Sequence, residues 1–562
     1  MEETGEQHRP APVKEATSDE NPRSPTNKDN DSQTNGAQWE GDTTNKDNTL
    51  YTLDVLVKDL GQCGCFQVVL LLFGYLPLLP GSWGIYLMIF GKYNPGWTCQ
   101  DVSLSEGLGV NNTLPQENGR NMSGFRSPLC TCDDIKASTN WTFNSVASTI
   151  VTEWSLVCGD SWKASLITSI QMTGVLFGAY AGGQIGDKFG RKFSIHGSCA
   201  LMVVMNVIAV FSISWQMYAV VMFFIGLSAG SSLATCYVYN FEFLSSWWRG
   251  FVVSFPLWSV ATCLFALSVM VLKNWRHVHI AVAFVSLVAF LPVIWLPESL
   301  RFLTVHGHLE KANKVVKKIA RLNKAPLPDT SIMKTIAEIE LQSLKAGASY
   351  TYLDLFHRNV RHYTVVLCFA LFVLSLSQYM IGFSLSSFSG NFFLNLLMFS
   401  SLPFPARIFA VVIVTKVGRK VSATLFLFLA SMCSFVIVVI QLLASQGSRG
   451  TPTTVLAIGI TMLIEAAWGS TAVLVNELFP SDVRTLSYGF CSASARLAGI
   501  IAPYLIPKHS MPIFAVFILQ GCLQLIAFLA VLTLPESRGK PLKENLVTKT
   551  VNNKQQDVSV DA

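Results

Sequence analysis

Three charged residues lie deep inside apolar stretches of the chain: Arg407, Glu465 and Arg496. At 1.5 Å per helical residue, Arg407 lies about 13 Å from the nearest flanking charge, and Glu465 and Arg496 lie about 18 Å from theirs. Such a charge costs at least ~2.5 kcal/mol in a bilayer unless it faces a cavity or a partner. One Glu neutralises one Arg, so one cation is left to attract an anionic group. The alternative is an Arg–Glu pair that only ties helices together.

Polar and aromatic side chains on nearby stretches suggest the rest of a binding site. An aromatic face holds an ammonium group by cation–π attraction worth ~0.5–2 kcal/mol. A cavity with Arg496 at one end and aromatic rings at the other would suit a zwitterion, whereas ordinary helix or lipid packing is the alternative for each ring. The predicted substrate-binding residues are Arg496, Arg407, Glu465, Gln378, Tyr379, Phe383 and Trp258.

The elements that carry these residues are predicted to be membrane-spanning helices. The 562 residues are 51% hydrophobic and 14% charged, against about 25% charged in soluble proteins. Apolar runs of about 20 residues match a hydrocarbon core of about 30 Å. The composition therefore excludes a soluble enzyme and predicts an all-α membrane protein of twelve spans, six on each side of a polar loop. The spans are 66–90, 164–185, 193–213, 217–241, 250–272, 278–296, 363–389, 391–414, 421–444, 452–476, 485–507 and 511–534.

Loop composition predicts the orientation of the spans. The glycosylation sequons at Asn111, Asn121 and Asn140 favour an extracellular position for the segment 91–160. The opposite loops are rich in Lys and Arg, which marks the cytosolic side and places both termini in the cytosol. The predicted regions are a disordered cytosolic tail (1–55), a first six-helix half (56–296), a cytosolic central loop (297–360), a second half (361–535) and a cytosolic tail (536–562).

Four of the 13 cysteines lie in the predicted extracellular loop: Cys99, Cys130, Cys132 and Cys158. An oxidising medium permits disulfides there, so two structural disulfides are predicted, with three pairings open. A metal site is the alternative, but no His cluster accompanies these cysteines. We expect neither a metal nor any other cofactor.

Three short motifs occur once in each half, in the same order. Gly190-Arg191-Lys192 is repeated as Gly418-Arg419-Lys420, and Glu242 with Arg249 as Glu477 with Arg484. Pro297-Glu298-Ser299 is repeated as Pro535-Glu536-Ser537. Two parallel repeats are the architecture of major facilitator transporters. We predict gating ion pairs rather than a merely topogenic basic loop, and the residues are Asp187, Arg191, Lys192, Glu242, Arg249, Glu298, Arg301, Arg419, Glu477 and Arg484.

Longer patterns resemble known families. Gly183 to Lys192 resembles the G-x-x-x-D-R/K-x-G-R-R/K signature of the major facilitator superfamily. Ser148 to Cys158, Pro297 to Leu303 and Asn476 to Arg484 resemble the solute carrier 22 family of organic cation, anion and carnitine transporters, over about residues 55–545.

The resemblance also bears on the charged site. It implies that Arg496 stands where anion-type and carnitine-type members have Arg and cation-type members have Asp. Two positions depart from the family: Pro403-Phe404-Pro405-Ala406 replaces E-x-P-A, and Glu465 stands where a neutral residue is expected.

These observations predict a secondary or facilitative transporter of the plasma membrane. Its substrate is a small organic ion, a zwitterion or anion, moved by alternating access with or without a coupling ion. The alternatives are an organic cation transporter and a transport-deficient receptor or scaffold of the same fold. A phosphate loop and a nucleophile–base set are absent from the sequence, which argues against an ATP-driven pump and an enzyme. The partners expected are the substrate and the lipid bilayer, and no nucleic acid.

Overall fold

The computed structural model describes residues 53–99, 132, 141–245, 248–249, 256–293, 295–327, 332–347, 351–445, 447–506 and 512–538. Most of the predicted tails (1–55 and 536–562) lies outside these residues, as do Asn111, Asn121, Asn140 and Cys130. The first described helix begins at Leu53, inside the predicted tail, and buries Leu53 and Leu56.

The described residues of the first half form nine helices: α1 (Leu53–Asp59), α2 (Cys65–Gly74), α3 (Leu78–Gly91), α4 (Ile150–Glu153), α5 (Ser161–Phe189), α6 (Arg191–Val210), α7 (Trp215–Phe241), α8 (Leu257–Leu272) and α9 (Trp275–Val293). The central segment contains α10 (Leu300–Val305), α11 (Leu309–Asn323) and α12 (Ile332–Gly347). The second half contains α13 (Arg361–Phe383), α14 (Phe392–Ser401), α15 (Pro403–Val417), α16 (Arg419–Leu443), α17 (Gly450–Leu478), α18 (Ser481–Ile501) and α19 (Ile513–Leu532).

Twelve membrane spans emerge from these helices. Among the described residues, ten helical segments have the length and hydropathy to cross a bilayer. The remaining two are α8, which is shorter at 16 residues, and α18, whose Ser and Arg side chains lower its hydropathy. Helices suit these segments because a bilayer offers the backbone no other hydrogen-bond partner. The predicted all-α major facilitator fold is confirmed.

Two spans are each built from two consecutive helices. The first span is α2 followed by α3, with Pro77 at the start of α3, and the eighth is α14 followed by α15, which begins at Pro403. Proline lacks the backbone N–H that would continue the hydrogen-bond ladder of the preceding helix, which is why it is tolerated at a helix start. Each break reorients the chain near the middle of the predicted membrane span.

The segment 148–153, at the end of the predicted extracellular loop, is anchored to the turn between α8 and α9. The backbone N–H of Ser148 donates to Lys273 O (2.9 Å), and that of Trp275 donates to Ser148 O (3.0 Å). Glu153 pairs with Arg276 at 3.0 Å. A short antiparallel sheet pairs β1 (Trp97–Cys99) with β2 (Trp141–Phe143).

A disulfide between two described residues lies beside this anchored segment. The structure joins Cys132 to Cys158, with the two Cα atoms 5.6 Å apart. These are two of the four cysteines predicted to form disulfides, and Cys130 lies outside the described residues.

Small residues let α5 and α7 pack with their backbones in close contact. Gly174, Gly178 and Gly182 of α5 face Gly226 and Gly230 of α7. A Cβ at Gly178 would overlap the backbone carbonyl of Leu227, and one at Gly230 would overlap the carbonyl of Val175. Small residues are the usual means of close helix approach in membranes, where the hydrophobic effect does not drive helices together.

We expect Gly178→Ala to destabilise the first half by about 1–3 kcal/mol, because the added methyl group forces these backbones apart. Gly183→Ala is the matched control, since a Cβ at this position of the same helix meets no atom within 4 Å. Thermal unfolding of the purified protein, followed by size-exclusion chromatography, measures the difference. Equal unfolding temperatures for the two variants would contradict the proposed close packing.

Candidate functional site

Two of the three embedded charges form an ion pair. The Arg407 guanidinium on α15 contacts the Glu465 carboxylate on α17 through Nη1 and Oε1. The two side chains are 18% and 13% exposed, so the pair is largely withdrawn from solvent. Mutual neutralisation meets the requirement that a charge in the bilayer has a partner.

The third charge, Arg496, lies on α18 without such a partner. Among the described residues we find no hydrogen bond or ion pair to its guanidinium. The helix itself is fixed to α13, because Ser375 Oγ donates to Ala495 O at 2.7 Å and Ser494 Oγ donates to Cys368 O at 3.0 Å. The structure thus holds the backbone beside Arg496 firmly and leaves its charge available.

Aromatic side chains from both halves gather around this region. The Tyr86 ring lies 6.0 Å from Trp258 and 6.2 Å from Phe399, and Tyr379 stacks on Phe383 at 5.9 Å. These distances join α3 and α8 of the first half to α14 of the second. Tyr86 therefore lies at the interface between the halves, and the predicted substrate-binding residue Trp258 packs beside it.

Gly499 and Gln378 complete the wall of the candidate site that α13 and α18 form. Tyr379 packs so closely on Gly499 that an added Cβ would lie 3.0 Å from its ring. The Oε1 atom of Gln378 is buried and has no hydrogen-bond partner among the described residues. An unpartnered buried acceptor beside aromatic rings suits a ligand that donates a hydrogen bond.

Sequence reasoning missed three tyrosines that belong to this region. Tyr488 of α18 lies near both Arg407 and Arg496, and Tyr237 of α7 lies near Arg407 and Glu465. Tyr86 interacts with Tyr379 and Glu465. The sequence does not tell whether a single tyrosine in an apolar span faces the cavity or the lipid, because the rotation of its helix decides which way the side chain points.

The two halves meet on the predicted extracellular side. Ser165 Oγ of α5 donates to Pro503 O at 3.0 Å, and Ser169 Oγ donates to Ile500 O at 2.7 Å. Tyr93 stacks on Phe392 with 4.0 Å between ring centroids. These contacts close the region around Arg496 from outside.

The same face of α5 is uncovered towards its cytosolic end. Tyr180 lies three helical turns beyond Ser169 on the face that contacts α18, yet it is 64% exposed. This face of α5 is therefore covered by the second half at Ser165 and Ser169 and uncovered at Tyr180.

Charged residues clamp the predicted cytosolic ends of the first-half helices. Arg191 pairs with Asp187 and, through Nε, with Glu242 Oε1 at 3.4 Å. Glu298 Oε1 accepts a hydrogen bond from the backbone N–H of Lys192 at 3.1 Å. This clamp links α5, α6, α7 and the start of the central segment.

The second half repeats the clamp. Arg419 Nε pairs with Glu477 Oε1 at 3.2 Å, and Ser537 Oγ donates to Glu477 Oε2 at 2.6 Å. Glu536 accepts backbone N–H groups from Arg419, Lys420 and Val421 at 3.0–3.4 Å. A carboxylate at a helix N-terminus also complements the helix dipole.

Glycine is required where each clamp meets the chain. Gly190 and Gly418 have φ angles of +110° and +130°, which L side chains rarely adopt. An added Cβ would approach the carboxylates of Glu298 and Glu536, respectively. Partial burial opposes ionisation of Glu536, but the donated backbone N–H groups outweigh it and lower the pKa of Glu536 below its usual value.

The other predicted gating residues lie near these clamps. Arg249 pairs with Asp54 of α1 and donates through Nε to Phe241 O at 2.8 Å. Arg301 interacts electrostatically with Glu242. The Nε atom of Arg484 is buried without a partner among the described residues. The pairs described here join helices within one half.

Comparison with known proteins agrees with this geometry. A family model described as "Sugar (and other) transporter" matches residues 112–546. The chain is 28% identical to the rat organic cation/carnitine transporter 2 over 418 residues (72% of this chain and 73% of the relative) and 28% identical to mouse solute carrier family 22 member 4 over 534 residues (88% and 94%). It is 29% identical to Xenopus laevis solute carrier family 22 member 6-A over 405 residues (71% and 72%).

A solved structure shows the same fold. The inward-open xylose transporter XylE from E. coli superimposes with a TM-score of 0.57 at 16% identity, covering 84% of this chain and 97% of that one. Among the described residues, no group of His, Cys, Asp and Glu is arranged to hold a metal. This chain therefore belongs to the sugar (and other) transporter family of the major facilitator superfamily, and its relatives are solute carrier 22 transporters.

Proposed function

We propose that this transporter carries a small zwitterion or organic anion across the plasma membrane by alternating access. The observation that supports this proposal best is the charge left over at Arg496. Glu465 is already paired with Arg407, so the embedded charges of the site sum to one positive charge. A carboxylate of the substrate would supply the missing partner.

The aromatic residues around Tyr86 extend the proposed site in the direction of the first half. The centroid of the Tyr86 ring lies 6.0 Å from that of Trp258 and 6.2 Å from that of Phe399. Rings in this arrangement attract an ammonium or a methylated ammonium group by their electron-rich faces. Relatives named as carnitine transporters agree with a substrate that carries both a carboxylate and a cationic group.

The Arg407–Glu465 ion pair also bears on the two alternatives, an organic cation transporter and a transport-deficient receptor or scaffold. An organic cation would need an available carboxylate, and the embedded Glu465 is engaged by Arg407. A transport-deficient receptor would need no moving halves, whereas the two clamps hold each half as a unit and Tyr180 is uncovered. Both observations favour a transporter of anions or zwitterions.

Uptake of a substrate panel tests the proposal directly. We expect oocytes or vesicles that carry the protein to take up carnitine, ergothioneine, urate or p-aminohippurate with saturation, and tetraethylammonium poorly. Surface expression is measured in parallel. Saturable uptake of tetraethylammonium alone would favour the cation transporter, and uptake of none despite surface expression would favour the receptor.

Arg496→Ala is expected to reduce carboxylate uptake by about 10- to 100-fold, which corresponds to losing a charge-assisted hydrogen bond of about 1.5–3 kcal/mol. Arg496→Lys retains the charge and should retain part of the activity. Initial rates across a concentration series, normalised to surface expression, separate KM from the maximal rate. Unchanged kinetics of Arg496→Ala would remove this residue from the site.

Glu465→Gln should destabilise the protein by about 3–5 kcal/mol, because it leaves Arg407 charged and unpaired in the membrane. The double variant Arg407→Gln, Glu465→Gln removes both charges and should recover most of the stability. Thermal unfolding and surface expression measure both effects. A double variant as unstable as the single one would show that Glu465 acts through another partner.

A further inference from the structure

Two thiols meet between α13 and α18. Cys368 Sγ and Cys491 Sγ lie 3.2 Å apart, although 123 residues separate them in sequence. Cys368 is half-buried and Cys491 is buried. Of the two residues, Cys368 is therefore the more accessible.

The pair lies next to the proposed substrate pathway. Each cysteine is seven residues from the cytosolic charge of its helix, Arg361 or Arg484, which places it about 10 Å into the span. A small crevice beside the pair is lined by Leu371, Trp468, Ala472, Tyr488 and Ser492. Leu371 follows Cys368 by one helical turn, and Ser492 follows Cys491 in sequence, so the crevice lies close to the pair.

Hydrogen bonds hold the two helices at this separation. Ser494 Oγ donates to the carbonyl of Cys368 at 3.0 Å, and Ser375 Oγ donates to the carbonyl of Ala495 at 2.7 Å. A disulfide requires an S–S distance of about 2.05 Å. The two sulfurs must therefore come about 1.2 Å closer for the bond to form.

We propose that Cys368 and Cys491 form a redox-responsive pair that closes into a disulfide when a hydroperoxide reaches the two thiols. The Cys368 thiolate attacks one peroxide oxygen, the O–O bond breaks, and a sulfenic acid and one water form. The Cys491 sulfur then attacks the Cys368 sulfur, the S–S bond forms, and a second water leaves. Two thiols and one hydrogen peroxide thus give one disulfide and two waters.

The bond would join two walls of the proposed site. Tyr379 and Phe383 lie on α13, and Arg496 lies on α18, five residues after Cys491. A covalent link restricts how these walls adjust around a substrate, so we expect oxidation to slow uptake. This consequence rests on the proposed function, whereas formation of the bond does not.

Other cysteines provide internal controls. Cys199 and Cys236 are buried within the first half and should remain unmodified. Cys522 lies on α19, outside the pair, and serves as the matched substitution control. Cys63 and Cys65 stand two residues apart and offer a competing site for oxidation.

Peptide mapping of the full-length protein tests the bond. The purified protein is reduced, freed of reductant, treated with hydrogen peroxide, alkylated with iodoacetamide and digested for mass spectrometry. We expect a linked peptide pair that contains Cys368 and Cys491, two hydrogens lighter than the separate peptides, and its loss after dithiothreitol. Cys368→Ser and Cys491→Ser should each abolish the link, and Cys522→Ser should retain it.

Alkylation of both Cys368 and Cys491 after peroxide treatment of the wild-type protein would overturn the proposal, and so would a link from either residue to a different cysteine. This readout needs neither a variant nor a known substrate. In transport assays, peroxide should slow uptake several-fold and reversibly in the wild type and Cys522→Ser, but not in Cys368→Ser. A linked pair with unchanged uptake would refute the regulatory effect and leave the transport function intact.

Discussion

Charges near a bilayer must be compensated, and this requirement explains how the molecule is divided. Arg407 and Glu465 neutralise each other within the second half. At the cytosolic ends, Arg191 with Glu242 and Arg419 with Glu477 do the same within their own halves. Because each carboxylate is held by a partner in its own half, the ionic forces bind helices into two bodies. The surfaces between the bodies are left to weaker contacts.

Those weaker contacts are the ones that an alternating transporter must break. Ser165 and Ser169 donate to backbone carbonyls of the second half, and Tyr93 stacks on Phe392. A neutral hydrogen bond contributes about 0.5–1.5 kcal/mol net, far less than the cost of leaving a buried charge without its partner. The extracellular contacts can therefore separate while the clamps built on Gly190 and Gly418 stay intact.

Much of this fold can be predicted from the sequence, because apolar run length and repeated motifs are local properties. The twelve spans and the two halves follow from them. What sequence left open was how each helix is rotated. Depth alone leaves both Arg407 and Arg496 as candidate partners of Glu465, and only the packing of α15 against α17 decides the pair. The same dependence on rotation hid Tyr86, Tyr488 and the contact between Cys368 and Cys491.

The Arg407–Glu465 pair gives the two departures from the family pattern one common explanation. The resemblance implies a carboxylate at the E-x-P-A position of the eighth span, where this chain has Pro403. Here Arg407 stands one turn further along, and the carboxylate comes from α17 instead. The site thus still contains a carboxylate, that of Glu465, but this carboxylate is paired with Arg407. A site with one Glu and one Arg has no net charge. Because this chain has Arg496 in addition to the Arg407–Glu465 pair, its embedded charges sum to one positive charge. In the function we propose, a site with that balance selects a substrate by its anionic group first, and the aromatic residues then discriminate among the anions by the group at their other end.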